Sequence, residues 1–294
     1  MTERITQAII PVAGRGTRFL PISKAVPKEL LPLGYRPLIH YAIAEAKAAG
    51  VERIIFVVNS TKKFIAEYLK RSPQLERVLE ERREDNLLEE LLSVDALCEG
   101  VSMEFVSEPN PAGDGHAVLQ ARKLLGDEAA YVLYPDDIIM AKRPAVSQLD
   151  QMFKTSQRPI LALARVEKDR LSSYGVVEGE KITNRVFKVK RIVEKPEPQE
   201  ARSDLVLVGR FILTPEVFDF LKKKKPNKKG EISLTETFAD MVLDGQIVYG
   251  HEFEGRWLEC GTKAEWLKSF LLFALTEHPE SAELHAFLRK QKAI

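Results

Sequence analysis

The chain has 294 residues and 45% of them are hydrophobic, so it can bury a substantial core in one large α/β domain or two small ones. Its 44 lysines and arginines nearly balance its 43 aspartates and glutamates. The resulting net charge of +1 excludes a global field that would attract nucleic acid or a membrane.

Cysteine usage and hydropathy point to an intracellular protein. Cys98 and Cys260 stand far apart without Cys-x-x-Cys spacing, which argues against a disulfide framework and indicates a reducing compartment. No long apolar run follows the amino terminus or occurs elsewhere, so we expect a soluble cytoplasmic protein.

A glycine-rich loop follows the first predicted strand. The apolar run Ala8-Ile9-Ile10 predicts a short buried strand, and Gly14 and Gly16 come directly after it. Bare backbone N–H groups in such a loop can approach phosphate oxygens closely. The third glycine of the dinucleotide fingerprint and the Gly-Lys-Ser/Thr of a Walker loop are both missing. We therefore predict a polyphosphate loop of another kind, with four nearby cations at Arg15, Arg18, Lys24 and Lys28.

The first half of the chain alternates strands and helices. Residues 39–50 have a helix-forming composition, and 53–58 form a β-branched run typical of a covered parallel strand, which completes a βαβ unit. Residues 61–97 are strongly helical and charged, which favours a partly solvated helical excursion. The remaining predictions are a strand at 103–106, turns at 108–115, a helix at 116–125 and a strand at 130–134.

The second half is richer in strands. Strands are predicted at 160–166, 174–178, 186–193, 205–213 and 247–250, and helices from 214, from 234, at 262–274 and at 281–290. No repeat or long linker interrupts the sequence, so we expect a single domain over 1–294. Its parts are expected at about 1–158, about 159–262 and about 263–294.

The glycine loop lies in a first motif, Gly14-x-Gly16-Thr17-Arg18-x-x-Pro21, and a second motif follows it, Pro27-Lys28-Glu29-x-x-Pro32. Together they resemble the signature of the sugar-1-phosphate nucleotidyltransferase family, and they are most similar to its bacterial UTP–glucose-1-phosphate uridylyltransferases. A glycine loop alone would be a weak indication, but further matches cover nearly the whole chain in that family's order. They lie at 115–118, 135–136, 174–177, 193–196, 208–210, 234–235 and 261.

The resemblance implies an α/β fold with a Rossmann-like, mostly parallel mixed sheet flanked by helices. It also implies Mg²⁺-dependent transfer of UMP from UTP to α-D-glucose 1-phosphate, which gives UDP-glucose and pyrophosphate. The sugar phosphate is already an anion, so no serine, cysteine or histidine nucleophile is needed. Cations and a divalent metal would bring the two polyanions into line.

On the nucleotide side, the resemblance implies that Arg18 and Lys28 neutralise the triphosphate; the alternative is that they are solvated surface cations. Asp136 is the first expected metal ligand, by resemblance and by its position after a strand, and its alternative role is a turn cap. Asp137 is expected to be a neighbour that raises the local negative charge. The other expected nucleotide contacts are Ala13, Gly14, Gly16, Thr17, Glu29, Glu108 and Gly115.

On the sugar side, Val193-Glu194-Lys195-Pro196 resembles the family's sugar-site motif. Glu194 would bond sugar hydroxyls and Lys195 would bind the sugar phosphate, unless they form an ordinary exposed charge pair at a strand end. Gly175 would let the sugar approach the backbone, or it is a plain hairpin glycine. His116 lies in a matched motif and is equally consistent with a structural and a catalytic role.

Three residues depart from the family pattern. Glu108 stands where these uridylyltransferases usually carry a glutamine that reads uracil, and a carboxylate accepts hydrogen bonds but does not donate them. Asp114 replaces a leucine, and Glu259 replaces an aspartate expected as the second metal ligand. The nucleotide could therefore be GTP or dTTP. Alternatively, the chain could be a catalytically weak regulator that binds nucleotide sugar.

Two surface features complete the sequence predictions. The lysine-rich run 222–229 lacks interleaved aromatic residues, so a solvated loop is favoured over a nucleic-acid patch, and we expect neither nucleic acid nor a membrane as a partner. Apolar positions in the closing helices suggest a subunit interface and a homo-oligomer, either a dimer or a tetramer. These positions are Phe270, Leu271, Leu272, Phe273, Leu284 and Phe287.

Overall fold

A computed structural model describes residues 4–59, 63–197 and 199–291 of the chain. Its strands are β1 (Gln7–Pro11), β2 (Pro32–Leu33), β3 (Arg36–Pro37), β4 (Arg53–Val58), β5 (Ser102–Ser107), β6 (Ala130–Leu133), β7 (Asp137–Met140), β8 (Ile160–Arg165), β9 (Gly175–Lys181), β10 (Val186–Glu194), β11 (Leu205–Leu213), β12 (Tyr249–Glu252) and β13 (Arg256–Glu259). Its helices are α1 (Leu38–Ala48), α2 (Lys63–Leu69), α3 (Pro73–Arg82), α4 (Asp85–Cys98), α5 (Asp114–Leu125), α6 (Ala145–Ser156), α7 (Pro215–Lys223), α8 (Leu234–Leu243), α9 (Lys263–Thr276) and α10 (Ser281–Lys290). Among these described helices, none has both the length and the apolar character that crossing a membrane requires.

Nine strands form one sheet in the order β5-β4-β1-β6-β11-β8-β12-β10-β9. Strands β5, β4, β1 and β6 pair in parallel, and seven of the nine strands share one direction, with β11 and β10 opposed. The predicted mostly parallel mixed sheet is therefore confirmed. The same sheet joins the two halves of the chain, because β11 pairs with both β6 and β8.

The central strands are buried on both faces, which is why they are continuous aliphatic runs. Ile9 and Ile55 face a core built with α5, α7 and α8, whereas Ile10 and Ile54 face a core built with α1 and α6. With both faces covered by helices, the carboxyl edge of β1, β4 and β6 is the place where such sheets bind ligands.

A small second sheet was not predicted from the sequence. Strands β7 and β13 pair antiparallel, with Asp137 opposite Glu259. Each has four residues, too few for a clear alternating pattern, and they come from distant parts of the chain. Other boundaries shift slightly: the strand predicted at 247–250 lies at Tyr249–Glu252, and the helix predicted from 116 begins at Asp114.

The stretch at 61–97 is helical, as predicted. The predicted excursion at 61–97 consists of α2, α3 and α4, and its first two residues lie outside the described residues.

In the C-terminal helix pair, α9 and α10, Phe273 is 7% exposed and its ring centroid lies 5.7 Å from that of Tyr41. Phe273 is therefore part of the core and not of a subunit interface, whereas Leu271, Leu272 and Phe287 are exposed.

Candidate active site

The glycine loop lies at the carboxyl end of β1, as predicted. Gly16 has φ +65°, in the left-handed region, and precedes the short 3-10 helix Thr17–Phe19. A Cβ built on Gly14 would meet nothing within 4 Å, and both Gly14 and Arg18 are exposed. Ala13 is buried behind this open backbone. The loop therefore presents free surface next to a cation.

The acidic turn after β6 meets a second cation of the loop. Lys28 Nζ lies 2.5 Å from Asp136 Oδ2, and the two side chains are 23% and 20% exposed. Burial opposes both charges, yet the ion pair holds the pKa of Asp136 below its ordinary value and that of Lys28 above it. Both groups are charged at neutral pH. The adjacent Glu29 is 1% exposed, so little of its side chain can face a ligand.

Asp137 is held by structural donors. Its Oδ1 accepts a hydrogen bond from Trp257 Nε1 at 2.8 Å, and its Oδ2 accepts one from the Gly209 N–H at 2.9 Å. A Cβ on Gly209 would lie 2.6 Å from the same Oδ2, so the close approach requires glycine. Burial and the adjacent Asp136 raise the pKa of Asp137 to about 7. Asp137 thus fixes the acidic turn, and its raised pKa means that it adds less negative charge than the sequence analysis expected.

A buried ion pair behind this turn was missed by the sequence analysis. Arg210 is fully buried; its Nε donates to Glu45 Oε2 at 2.9 Å, and its Nη1 donates to the carbonyl of Tyr134 at 2.8 Å. Arg210 therefore holds the chain two residues before Asp136. The family resemblance at 208–210 indicated this position but gave no partner for Arg210. Glu45 lies in α1, where no local sequence pattern marks it as that partner.

Glu259 lies beside the acidic turn, but its carboxylate is bound by other groups. Strand pairing sets Glu259 opposite Asp137, and the N–H that follows it donates to the carbonyl of Asp136 at 2.7 Å. Its Oε2 accepts from Arg170 Nη2 at 2.6 Å and from the Tyr174 hydroxyl. Burial raises the pKa of Glu259. Neither Arg170 nor the Tyr174 hydroxyl was predicted to act here.

The donor chemistry fits Mg²⁺ with a single protein carboxylate. In the part of the chain that the structure describes, no three His, Cys, Asp or Glu side chains form a cluster that could hold a metal ion. Mg²⁺ commonly takes one or two carboxylates and completes its shell with phosphate oxygens and water. Asp136 can supply that carboxylate at the mouth of the glycine loop, whereas Oε2 of Glu259 is already bound by Arg170 and by the Tyr174 hydroxyl.

The predicted sugar-site residues lie together. Glu194 pairs with Gly175 across β10 and β9, and a Cβ on Gly175 would lie 3.2 Å from Glu194 Oε2. Lys195 Nζ lies 3.2 Å from Glu194 Oε1, and the Lys195 N–H donates to the Tyr174 carbonyl. Lys195 has φ +46°, which is unusual for a residue with a side chain and is typical of functional positions. Tyr174 connects this group to Glu259.

Glu108 has one carboxylate oxygen with hydrogen-bond partners and one without. Its side chain is 1% exposed; Oε1 accepts from the Ala112 N–H at 3.4 Å and contacts His116 Nδ1. Within the described residues, the buried Oε2 has no hydrogen-bond partner. A cavity of about 400 Å³ lies here, lined by Glu108, Pro109, Asn110, Ala112, His116 and Gln120. His116 therefore has at least a structural role.

Gly115 lies deeper than the sequence suggested. It is buried, and its N–H donates to the Ile232 carbonyl at 3.0 Å and to Asp114 Oδ1 at 2.9 Å. A Cβ would lie 2.9 Å from Leu221 Cδ2, so glycine permits close packing of α5 here. The structure thus assigns Gly115 a packing role, and contact with nucleotide stays a prediction.

The sequence of the chain is similar to those of known nucleotidyltransferases. The sequence model of the Nucleotidyl transferase family matches residues 7–273. The chain is 37% identical to UTP–glucose-1-phosphate uridylyltransferase 1 of Staphylococcus saprophyticus subsp. saprophyticus, over 97% of this chain and 98% of that protein. It is 36% identical to UTP–glucose-1-phosphate uridylyltransferase of Bacillus subtilis, over 97% of each.

Solved structures agree with these sequences. A UDP-glucose pyrophosphorylase from Acinetobacter baumannii has a TM-score of 0.88 and 33% identity, covering 98% of this chain and 99% of that one. The UTP-bound enzyme from A. baumannii has a TM-score of 0.87 and 35% identity, covering 97% and 98%. The chain has a glycine loop and an acidic turn at one sheet edge, and the family model matches residues 7–273 of it, so the chain belongs to the Nucleotidyl transferase family.

Proposed function

We propose that the protein transfers UMP from UTP to α-D-glucose 1-phosphate, giving UDP-glucose and pyrophosphate. The observation that carries the proposal is the chain of contacts between the two predicted substrate sites. The backbone N–H of Lys195 donates to the Tyr174 carbonyl, the Tyr174 hydroxyl donates to Glu259, and Glu259 lies opposite Asp137, the neighbour of Asp136. Relatives that match nearly the whole chain are UTP–glucose-1-phosphate uridylyltransferases, and similar structures hold UTP or UDP-glucose.

In this proposal, different residues of the chain bind the two substrates. The glycine loop, Arg18 and Lys28 bind and neutralise the triphosphate, and Lys195 holds the phosphate of the sugar while Glu194 accepts from its hydroxyls. A sugar-phosphate oxygen forms a bond to the α-phosphorus, and the bond from that phosphorus to the bridging oxygen breaks. Pyrophosphate carries away the electron pair, so no proton transfer to a side chain is required.

We propose Asp136 as the protein ligand of Mg²⁺. When bound, the ion supplies Lewis-acid charge that draws phosphate oxygens together. Lys28 neutralises Asp136 at 2.5 Å, and we propose that it turns toward phosphate as substrate enters. Glu259 is proposed to act on the ion through water, because Arg170 and the Tyr174 hydroxyl already bind its Oε2.

Domain, assembly and compartment are proposed on other observations. We propose one domain, in which residues 1–158 bind the nucleotide, 159–262 bind the sugar and 263–294 form the subunit contact.

Exposed apolar side chains on α9 and α10 support a homo-oligomer formed through Leu267, Leu271, Leu272 and Phe287. Both cysteines are free thiols, as is usual in a reducing compartment, so we propose a cytoplasmic location. Light scattering of the parent protein and of Leu271→Glu tests the assembly, which the charge should weaken.

Turnover tests the central proposal. Purified protein is mixed with Mg²⁺, UTP and glucose 1-phosphate, and pyrophosphate release and UDP-glucose formation are measured together. Equal amounts of both products, with none when either substrate is omitted, are expected. Binding of UDP-glucose without turnover would instead indicate a regulatory protein.

A further inference from the structure

The carboxylate of Asp114 joins three segments of the site. Its Oδ1 accepts from the Gly115 N–H at 2.9 Å and from the Leu234 N–H at 3.1 Å. Its Oδ2 accepts from the Tyr134 hydroxyl at 2.6 Å. Both oxygens therefore accept hydrogen bonds from the chain itself, which indicates a structural task for the Asp114 carboxylate.

Each of these three donors belongs to a different part of the proposed site. Gly115 lies in the first turn of α5, which follows the loop that contains Glu108. Leu234 is the first residue of α8, and the next residue, Thr235, would lie 2.8 Å from a Cβ on Gly175 of the sugar side. Tyr134 directly precedes the turn that carries Asp136.

The backbone in this region is tightly packed as well. The Ile232 N–H donates to the Ala112 carbonyl at 2.7 Å, and a Cβ on Gly113 would lie 2.4 Å from the Ile232 carbonyl oxygen. The Asp114 carboxylate thus accepts hydrogen bonds from the N-terminal ends of α5 and α8, which carry partial positive charge, and from the Tyr134 phenol. These groups meet where the backbone at 112–113 already contacts the backbone at Ile232. A charge-assisted contact of this kind fixes distances better than the apolar contact of a leucine would.

We propose that Asp114 is a positioning residue that aligns the nucleotide half, the sugar half and the acidic turn with one another. The inference rests on the proposed uridylyl transfer. In-line displacement requires both reacting phosphates to lie within near-attack distance, and a misplacement of about 1 Å can cost about 10²-fold in rate. Each half keeps its own substrate contacts, so loss of Asp114 should affect alignment more than binding.

The chain offers a matched control for this test. Tyr131, on the same strand β6, donates to Asp150 of α6 in another tyrosine–aspartate contact. Neither residue of that pair belongs to the proposed site. Removing either contact should lower folding stability, but only removal of the Asp114 contact should change the chemistry.

The experiment compares Asp114→Ala, Asp114→Asn and Asp150→Ala with the parent protein in steady-state turnover and thermal unfolding. We expect Asp114→Ala to lower kcat by on the order of 10²-fold, with the Kd of UTP alone and of glucose 1-phosphate alone each within about threefold. Asp114→Asn keeps an acceptor for both N–H groups and a donor for Tyr134, and should stay within about threefold of the parent kcat. Asp150→Ala should lower Tm while kcat stays constant.

A second pair of variants covers the case in which Asp114→Ala does not fold. Tyr134→Phe removes the hydroxyl while its ring can keep its place, with the centroid 5.7 Å from that of Phe211, and should lower kcat by about fivefold. Tyr131→Phe should leave kcat unchanged. Equal kcat in Tyr134→Phe and Tyr131→Phe, or a normal kcat in folded Asp114→Ala, overturns the inference alone. An inactive parent protein overturns the proposed function and this inference with it.

Discussion

Lys28 Nζ lies 2.5 Å from Asp136 Oδ2, although 108 residues separate the two in the sequence. The pair sets a cation of the glycine loop against the carboxylate proposed to hold Mg²⁺. Because each charge compensates the other in a partly buried position, both can be kept ionised and ready for a polyphosphate.

The first prediction removes the charge of Asp136. Asp136→Asn keeps the shape but takes away the anionic ligand, so turnover should fall by on the order of 10²-fold or more while the fold is retained. Asp137→Asn is the matched control: it replaces an acceptor of the Trp257 and Gly209 donors and should mainly lower Tm. Near-normal activity of Asp136→Asn at saturating Mg²⁺ would show that Asp136 is not the metal ligand.

The second prediction concerns the sugar phosphate. Lys195→Ala keeps a Cβ at the left-handed backbone position and removes only the charge and its stem. Use of glucose 1-phosphate should weaken by about 2–3 kcal/mol in kcat/KM, as expected for a lost charge-assisted phosphate contact. UTP affinity should hardly change. Lys190→Ala is the control, because Lys190 lies in β10, which ends directly before Lys195, and is bound to Glu180. A loss of UTP affinity in Lys195→Ala would move Lys195 to the triphosphate site.

The third prediction concerns the choice of base at Glu108. Its Oε2 is buried without a partner among the described residues, so it can accept from the ring N–H of uracil but offers no donor to a uracil carbonyl. Glu108→Gln supplies that donor. An acceptor facing an acceptor costs roughly 1–3 kcal/mol, so the variant should use UTP about tenfold better.

A panel of UTP, dTTP, GTP, CTP and ATP with glucose 1-phosphate separates the outcomes for Glu108. If the parent protein prefers GTP, Glu108 reads guanine and the uridylyl assignment is wrong. If UTP is preferred and Glu108→Gln brings no gain, the carboxylate serves the loop through His116 and Ala112 and does not face the base.

The fourth prediction concerns acid stability. His40 is 3% exposed; its Nε2 lies 2.8 Å from Arg36 Nη1 and its Nδ1 lies 2.9 Å from the Tyr68 hydroxyl. Burial, together with Arg36, lowers the pKa of His40 from 6.5 to about 4. His40 therefore binds a proton below about pH 6.5 in the unfolded chain, whereas it binds one only below about pH 4 in the native chain.

This difference makes the native state less stable as the pH falls through that window. Between pH 7 and pH 5, His40 should cost about 2 kcal/mol in the free energy of unfolding. His40→Gln retains a neutral acceptor and donor and should lose less stability over the same range. Urea unfolding of both proteins at each pH measures the difference; parallel losses in the two proteins would contradict the prediction.

The fifth prediction tests the buried ion pair behind the acidic turn. Arg210 and Glu45 have side chains that are 0% and 9% exposed. Glu45→Gln leaves a buried guanidinium uncompensated and should cost about 3–5 kcal/mol of stability. The exposed pair Arg191–Glu178 is the control, and Glu178→Gln should cost less than about 1 kcal/mol. Equal effects would mean that water reaches Arg210.

Local sequence determined much of this protein. The aliphatic runs of β1 and β4, the glycine loop and the acidic turn after β6 are encoded within a few neighbouring residues. Strand period, turn chemistry and strand ends are local properties, so the sheet and the edge that carries the site could be predicted. The residues of the sugar motif could be named for the same reason, by their match to a short pattern.

The partners of the side chains were decided by tertiary structure. Whether Glu259 faces a metal or Arg170, and whether Asp114 faces a base or Tyr134, depends on segments that are far apart in the chain. The pairing of β7 with β13 and the burial of Arg210 against Glu45 depend on the same packing. A buried charge must find a donor or a counter-ion wherever the packed sheet and helices supply one, and no local pattern encodes that choice.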